Sequence, residues 1–184
     1  MPEGHSADIV ARVAALAATA TPRCGHTVVV AVDGPSGSGK TTLGDELGVA
    51  LSAPVVHMDD IYRGWDGLAE SVELVTHDVL EPLARGERAA YTRWDWTNDR
   101  LDAQVEVPPT PVLVLEGAGS SVRPAGDFVA VVVWVEADEP TRRERGISRD
   151  PGFEPHWERW AAQERRVFAA DGTRERADLV VSTA

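Results

Sequence analysis

The chain reads as an α/β fold: a doubly wound parallel sheet with helices on both faces. Two observations carry this. Thr27–Val32 (TVVVAV), Pro111–Leu115 (PVLVL) and Phe128–Val135 (FVAVVVWV) are short, unbroken runs rich in β-branched residues, the composition of strands buried on both faces. The segments between them show helical apolar spacing, so strands and helices alternate as parallel crossovers require.

Taken in order, Ser6–Thr19 places Ile9, Val10, Val13, Leu16 and Ala17 at helical spacing behind a Ser6 cap. Residues 1–26 are this helix and a lead-in to the first strand, Thr27–Val32. A glycine-rich turn follows, then a helix over Thr41–Leu51, a strand over Val55–Met58 and a long helix over Leu68–Arg85 with Pro82 near its end. Ala89–Arg93 and Ala103–Val107 read as a short edge pair. After the strands Pro111–Leu115 and Phe128–Val135, helices are expected over Glu139–Ser148 and His156–Ala170, and a last strand over Leu179–Ser182. No internal repeat or linker divides the sequence, and 184 residues suit one domain spanning 1–184.

Charge narrows the class of partner. Thirty acidic against 18 basic residues give a net charge of -12, which repels a polyanionic backbone, so a nucleic-acid polymer is not expected. No apolar run approaches the roughly 18 residues that cross a bilayer, so no membrane partner is expected. The start lacks the basic and apolar regions of a secretory signal, and the single Cys24 allows no internal disulfide; both point to the cytoplasm. The oligomeric state is left open.

The chemistry begins at the turn. Gly34-Pro35-Ser36-Gly37-Ser38-Gly39-Lys40-Thr41 fits G-x-x-x-x-G-K-[ST], directly after a buried strand and directly before a helix. Glycines let backbone N–H groups curl around phosphate oxygens, and the helix N-terminus adds positive potential. Lys40 then reaches the β/γ-phosphates and Thr41 holds Mg²⁺, with Thr42 completing the binding stretch. Lys40 is the sole lysine among the 18 basic residues, so a compact point charge is kept where arginine serves everywhere else. The Asn/Thr-Lys-x-Asp motif of a guanine switch therefore has no lysine to use.

Carboxylates follow at the same sheet edge. The second strand ends in His57-Met58-Asp59-Asp60-Ile61-Tyr62-Arg63, and ligands bind at the carboxyl ends of parallel strands. Asp59 is a candidate for accepting the proton of a substrate hydroxyl or for ordering Mg²⁺, with Asp60 as its competitor and a solvated acidic turn as the bland alternative. Val112–Gly117 delivers Glu116 to the edge where a carboxylate meets the water shell of Mg²⁺, unless it serves as a helix cap. Asp33 reads as mainly structural. Arg142, Arg143, Arg145 and Arg149 crowd one helix, followed by the breaker Asp150-Pro151-Gly152, which should lift the chain as a flap. Such arginines neutralise a transferring phosphoryl group or, more plainly, pair with Glu139 and Glu144.

With these residues in place, the chain resembles the uridine kinase-like branch of the P-loop kinases over most of residues 27–182. The matching pieces are DGPSGSGKTTL at Asp33–Leu43, MDDIYR against a Q-D-x-F-Y-type stretch, LEG at Leu115–Gly117, and R-x-x-R-x-x-x-R-D at Arg142–Asp150. The resemblance implies a P-loop fold with a small lid at about 142–160, ATP as donor with Mg²⁺, and transfer of its γ-phosphoryl to a small-molecule hydroxyl, most naturally that of a nucleoside. It implies that Asp59 activates that hydroxyl, that Tyr62 lies near the acceptor, and that Arg142, Arg145 and Arg149 are lid arginines.

One departure concerns the acceptor. In the stretch Tyr91-Thr92-Arg93-Trp94-Asp95-Trp96, uridine kinases tend to place a histidine after the tyrosine, and Trp96 stands at that position here. Tyr91, Arg93 and Trp96 are the acceptor-binding candidates, Arg93 for an acceptor anion if the acceptor is a nucleoside monophosphate, a shikimate-like compound or another metabolite. Trp65, Trp94, Trp96, Trp157 and Trp160 either stack on a base or sugar or pack under the lid. A regulatory module that hydrolyses ATP slowly is the expectation of another class.

Overall fold

The computed structural model describes residues 3–183. Among the described residues, seven strands run β1 (Val28–Asp33), β2 (Val55–His57), β3 (Ala89–Asp95), β4 (Arg100–Val107), β5 (Val112–Glu116), β6 (Val131–Glu136) and β7 (Leu179–Ser182). Five of them form a parallel sheet in the order β2-β5-β1-β6-β7. Central β1 pairs Val28–Val32 with Val112–Glu116 on one side and Val30–Asp33 with Val131–Trp134 on the other.

Both faces of this sheet are covered, which is why its strands show no polar alternation. Helices α1 (Glu3–Thr19) and α2 (Lys40–Leu51) bring Ile9, Val13, Leu43 and Leu47 against Val28, Val30, Val32, Val114 and Val133. On the opposite face, α3 (Leu68–Val75), α4 (Glu81–Ala84) and, beyond the arginine helix α5 (Glu139–Arg149), α6 (Trp157–Asp171) pack on Val29, Ala31, Leu113, Leu115 and Val132. Each fully buried Val or Leu contributes roughly 1.5–3 kcal/mol relative to exposure, so the two layers fix the sheet edge on which the site stands.

Four expectations are corrected by the packing. The single helix over Leu68–Arg85 is interrupted by a π-turn at Thr76–Leu80, because Pro82 has no N–H to donate and its ring crowds the preceding turn. The strand expected from Phe128 starts at Val131, since Ala125–Phe128 closes a 3-10 turn. The edge pair is longer than expected and stands apart as a two-stranded antiparallel sheet, with a bulge between Thr92 and Trp94. Ala89, Tyr91 and Val107 bury one face while β4 is largely exposed, so the hairpin cannot join a sheet covered on both sides.

The fourth concerns the lid. Asp150-Pro151-Gly152 does break the helix, but the turn Pro151–His156 packs down instead of lifting away. Phe153, Trp157 and Trp160 are buried in the same core as Val29 and Leu115. Their apolar area outweighs the breaker, and of the two tryptophan readings packing holds for Trp157 and Trp160.

Candidate active site

The turn after β1 is shaped by backbone constraints that only glycine meets. A Cβ on Gly34 would lie 2.1 Å from the Val135 carbonyl oxygen, and one on Gly37, at φ +77°, would lie 2.1 Å from that of Arg142. Gly39 caps α2 in the left-handed region and offers no side chain to the helix. The first N–H groups of α2, at Lys40, Thr41 and Thr42, therefore stay available to an anion. Lys40 is buried and donates from Nζ to the Pro35 carbonyl at 3.0 Å, while the Ser38 hydroxyl is buried without a partner. These free donors fit phosphate oxygens.

Asp33 anchors the turn from beneath. Its Oδ1 accepts from the N–H groups of Gly34 (2.7 Å) and Gly119 (2.9 Å), and its Oδ2 from the backbone and hydroxyl of Ser121, both at 2.8 Å. Complete burial pushes its carboxyl pKa up against those four bonds. It ties the loop to the segment after β5 and is structural, as its position beneath the turn requires.

A cavity of about 290 Å³ opens over the turn, lined among others by Ser36, Gly37, Gly39, Lys40, Thr41, Thr42, Asp59, Tyr62, Glu116, Arg145 and Arg149. Glu116, at the end of β5, is 4% exposed; its Oε1 accepts from Thr41 Oγ1 at 3.3 Å and its Oε2 lies 2.8 Å from His57 Nδ1. Gly44 makes room for it, since a Cβ there would sit 2.7 Å from Glu116 Cγ. Among the described residues no three His, Cys, Asp or Glu side chains are grouped to hold a metal. The Thr41–Glu116 pair fits an ion that takes most of its ligands from phosphate and water, which is the habit of Mg²⁺.

Asp59 keeps open surface toward the cavity while protein crowds its other sides. That crowding raises its carboxyl pKa, Glu116 adds to the rise, and Arg149, Lys40 and His57 oppose it. Asp60 points elsewhere: it accepts from the Tyr91 hydroxyl at 3.3 Å and lines no part of this cavity. Of the two carboxylates, Asp59 is the one that lines this cavity. Tyr62 borders the cavity, but its hydroxyl is spent on the Ala118 carbonyl at 2.8 Å and its ring meets Trp160 edge to face.

The three arginines separate. Arg149 lines the cavity. Arg145 lines it too, with its guanidinium pinned to Thr183 through Oγ1 (2.9 Å) and O (2.8 Å). Arg142 does not line it: it donates to the Ser36 carbonyl at 3.1 Å and to the Ala137 carbonyl at 3.1 Å, with its guanidinium 5.8 Å from the centre of the Trp157 ring. It braces the loop from behind, and the expected pairing of this helix with Glu139 or Glu144 does not form; Arg143 meets Glu154 at 3.6 Å.

The acceptor candidates are placed differently from one another. Arg93 is exposed and paired across the hairpin with Asp102 at 2.7 Å, away from the cavity. Trp96 donates from Nε1 to the Asp59 carbonyl at 2.8 Å and stacks at a tilt on Trp65, which itself stacks on Phe153 and His156. Tyr91 is buried, and burial with the neighbouring Asp60 raises its hydroxyl pKa.

Two residues were invisible in the sequence. His57 holds the outer oxygen of Glu116 and lies 3.6 Å from Asp45; the hydrogen bond to Glu116 raises its pKa, opposed by burial. Its one signal was its place as the last residue of a strand at the ligand edge. Glu164 of α6 is 2% exposed and accepts from Ser36 N–H (2.8 Å), Ser36 Oγ (2.7 Å) and Trp160 Nε1 (2.9 Å). Nothing local announces a contact across 128 positions.

The arrangement is that of a P-loop kinase fold. A possible uridine kinase from Bacillus stearothermophilus superposes with a TM-score of 0.68 at 22% identity, over 95% of this chain and 97% of that one. D-glycerate 3-kinase from Cryptococcus neoformans superposes at 0.55 with 14% identity, over 91% and 87% of the two chains. In sequence, the chain is 28% identical over 147 residues to a uridine kinase of Brevibacillus brevis, covering 68% of this chain and 67% of that protein. No protein-family model matches. The chain is thus similar in fold to P-loop kinases and in sequence to a uridine kinase. Among the described residues no helix is long and apolar enough to cross a membrane.

Proposed function

We propose that the protein transfers the γ-phosphoryl group of ATP to the hydroxyl of a small nucleoside-like acceptor. One observation carries this reading: Lys40, Thr41, Asp59, Glu116 and Arg149 converge on a single cavity above the free amides of the turn. A carboxylate on the cavity opposite the phosphate-binding turn can take the proton that an alcohol acceptor gives up as its oxygen attacks the γ-phosphorus. The uridine kinase likeness and the kinase fold support the same choice of chemistry.

Lys40 leaves Pro35 to meet the β/γ-phosphates, and the amides of Lys40, Thr41 and Thr42 hold the anion without reorganisation. Thr41 and Glu116 would hold Mg²⁺, which supplies charge neutralisation across the phosphates when bound. Asp59 Oδ accepts the acceptor's hydroxyl proton, its raised pKa bringing its basicity nearer to the task. Arg149, exposed on the last turn of α5, is free to follow the charge as it spreads over the phosphoryl oxygens. Arg142 is a positioning residue, acting through Ser36. An anionic acceptor finds Arg93 already engaged by Asp102.

The test is ADP release from Mg²⁺-ATP against a panel of nucleosides, nucleoside monophosphates, sugars and hydroxy acids. A nucleoside raising the rate well above basal, with Asp59→Asn losing that increment, is the expected result. A rate indifferent to every acceptor would turn the assignment toward a nucleotide-binding regulatory module.

A further inference from the structure

A second cavity of about 550 Å³ adjoins the first, and the two share Gly39, Thr42 and Arg145. A phosphate chain held on the turn therefore leaves its nucleoside end facing this second space. Its far wall is not part of the strand-and-helix alternation at all: Ser6, Ala7 and Val10 of α1 close it, opposite Thr42 and Glu46 of α2. Ile9 and Val13, buried against the sheet, fix α1 in that place.

The chemistry of the walls is uneven. Ala7 and Val10 are aliphatic, and Arg145 presents a flat guanidinium already held by Thr183, so a planar heteroaromatic ring fits between them. The polar group is Glu46, whose Oε2 accepts from the Ser6 hydroxyl. That bond engages Oε2 with α1, so Oε1 is the less encumbered of the two acceptor oxygens. One unencumbered acceptor oxygen matches the 6-amino group of adenine; guanine presents a carbonyl oxygen at that position, which a carboxylate repels, and its N1–H and 2-amino edge is best met by two carboxylate oxygens free together.

We infer that α1 is a working wall of the nucleotide site, with Ala7 and Val10 covering the base and Glu46, held by Ser6, selecting a 6-amino over a 6-oxo purine. This rests on the kinase reading only in requiring that the turn hold the nucleotide's phosphates. Ser6 and Val10 thereby acquire a role that no phosphate motif assigns to them.

Equilibrium binding of Mg²⁺-ADP, Mg²⁺-GDP and Mg²⁺-tripolyphosphate to the full chain tests it. The wild type should bind ADP more tightly than GDP and than tripolyphosphate. Ala7→Trp, at an exposed position on the cavity wall, should bring ADP down about thirtyfold toward tripolyphosphate, whose own binding stays unchanged and reports an intact fold and turn. Glu46→Gln, with its carbonyl toward Ser6 and its amide N–H groups toward the base, should shift the ADP-to-GDP preference about tenfold toward GDP. Unaltered ADP binding in Ala7→Trp, or an unaltered preference in Glu46→Gln, overturns the inference while leaving the phosphate turn in place. Failure of the wild type to bind tripolyphosphate and ADP alike overturns both.

Discussion

The phosphate-binding turn of the cavity and the side proposed for the acceptor are built in opposite ways. The first is one continuous stretch, Gly34–Thr42, whose shape follows from its own glycines and from the helix that begins at Lys40. The second is gathered from the chain just after β2, the end of β5 and the last turn of α5, with Trp96 at the hairpin tip holding the Asp59 carbonyl from outside and stacking on Trp65. A site made from contiguous backbone announces itself in sequence. A site made from converging side chains depends on packing that the sequence does not spell out.

The largest expected effect lies on the contiguous side. Lys40→Ala should lower acceptor-dependent ADP release by about 10³-fold or more while the melting temperature stays near that of the wild type, because the lysine's one partner is a loop carbonyl. Loss of fold along with activity would show that the turn is held together by Lys40 and not merely armed by it.

On the converging side, Asp59→Asn should cost about 10²-fold in turnover. Its raised pKa also fixes a sign. In the proposed mechanism the ionised carboxylate is the base, so the wild-type rate should fall as pH drops through a value above the usual carboxylate range, and Asp59→Asn should lose that limb of the profile. Because the folded pKa lies above the unfolded one, ionisation of Asp59 costs stability at neutral pH and that cost disappears on acidification. Asp59→Asn should accordingly melt slightly higher than the wild type at pH 7, with the gap closing as pH falls. A profile with no change at the acid limb would remove Asp59 from the proton's path.

Smaller changes sharpen the acceptor side. Trp96→Phe keeps the stacking on Trp65 but deletes the bond to the Asp59 carbonyl. The acceptor KM should rise about fivefold with ATP binding unchanged, the worth of one hydrogen bond acting through Asp59. Arg93→Ala should change either constant by no more than about twofold, since an exposed ion pair on the hairpin contributes little. An equal effect of the two variants would place the acceptor along β3 instead of beside Asp59.

Legibility in the sequence follows the same division. The unbroken valine runs disclosed the parallel sheet, and the G-x-x-x-x-G-K-T spacing disclosed the turn, because each is a local pattern with one physical solution. The hairpin's independence from the main sheet was hidden, because what decides it is that β4 stays exposed. The packed lid was hidden too: Asp150-Pro151-Gly152 states a break in the helix, while burial of Phe153, Trp157 and Trp160 decides where the chain goes next. Glu164 and His57 show the limit most clearly, since each matters only through a partner supplied by a distant strand or turn.

The most direct measurement follows the phosphoryl group itself. Protein, Mg²⁺ and ATP labelled in the γ-phosphoryl group would be incubated with the acceptor panel and the label traced. Label recovered on an acceptor oxygen, in an amount equal to the ADP formed and absent in Lys40→Ala and Asp59→Asn, is the predicted result. Label recovered only as inorganic phosphate, whatever acceptor is present, would contradict the claim that the two sides of this cavity meet in one transfer step.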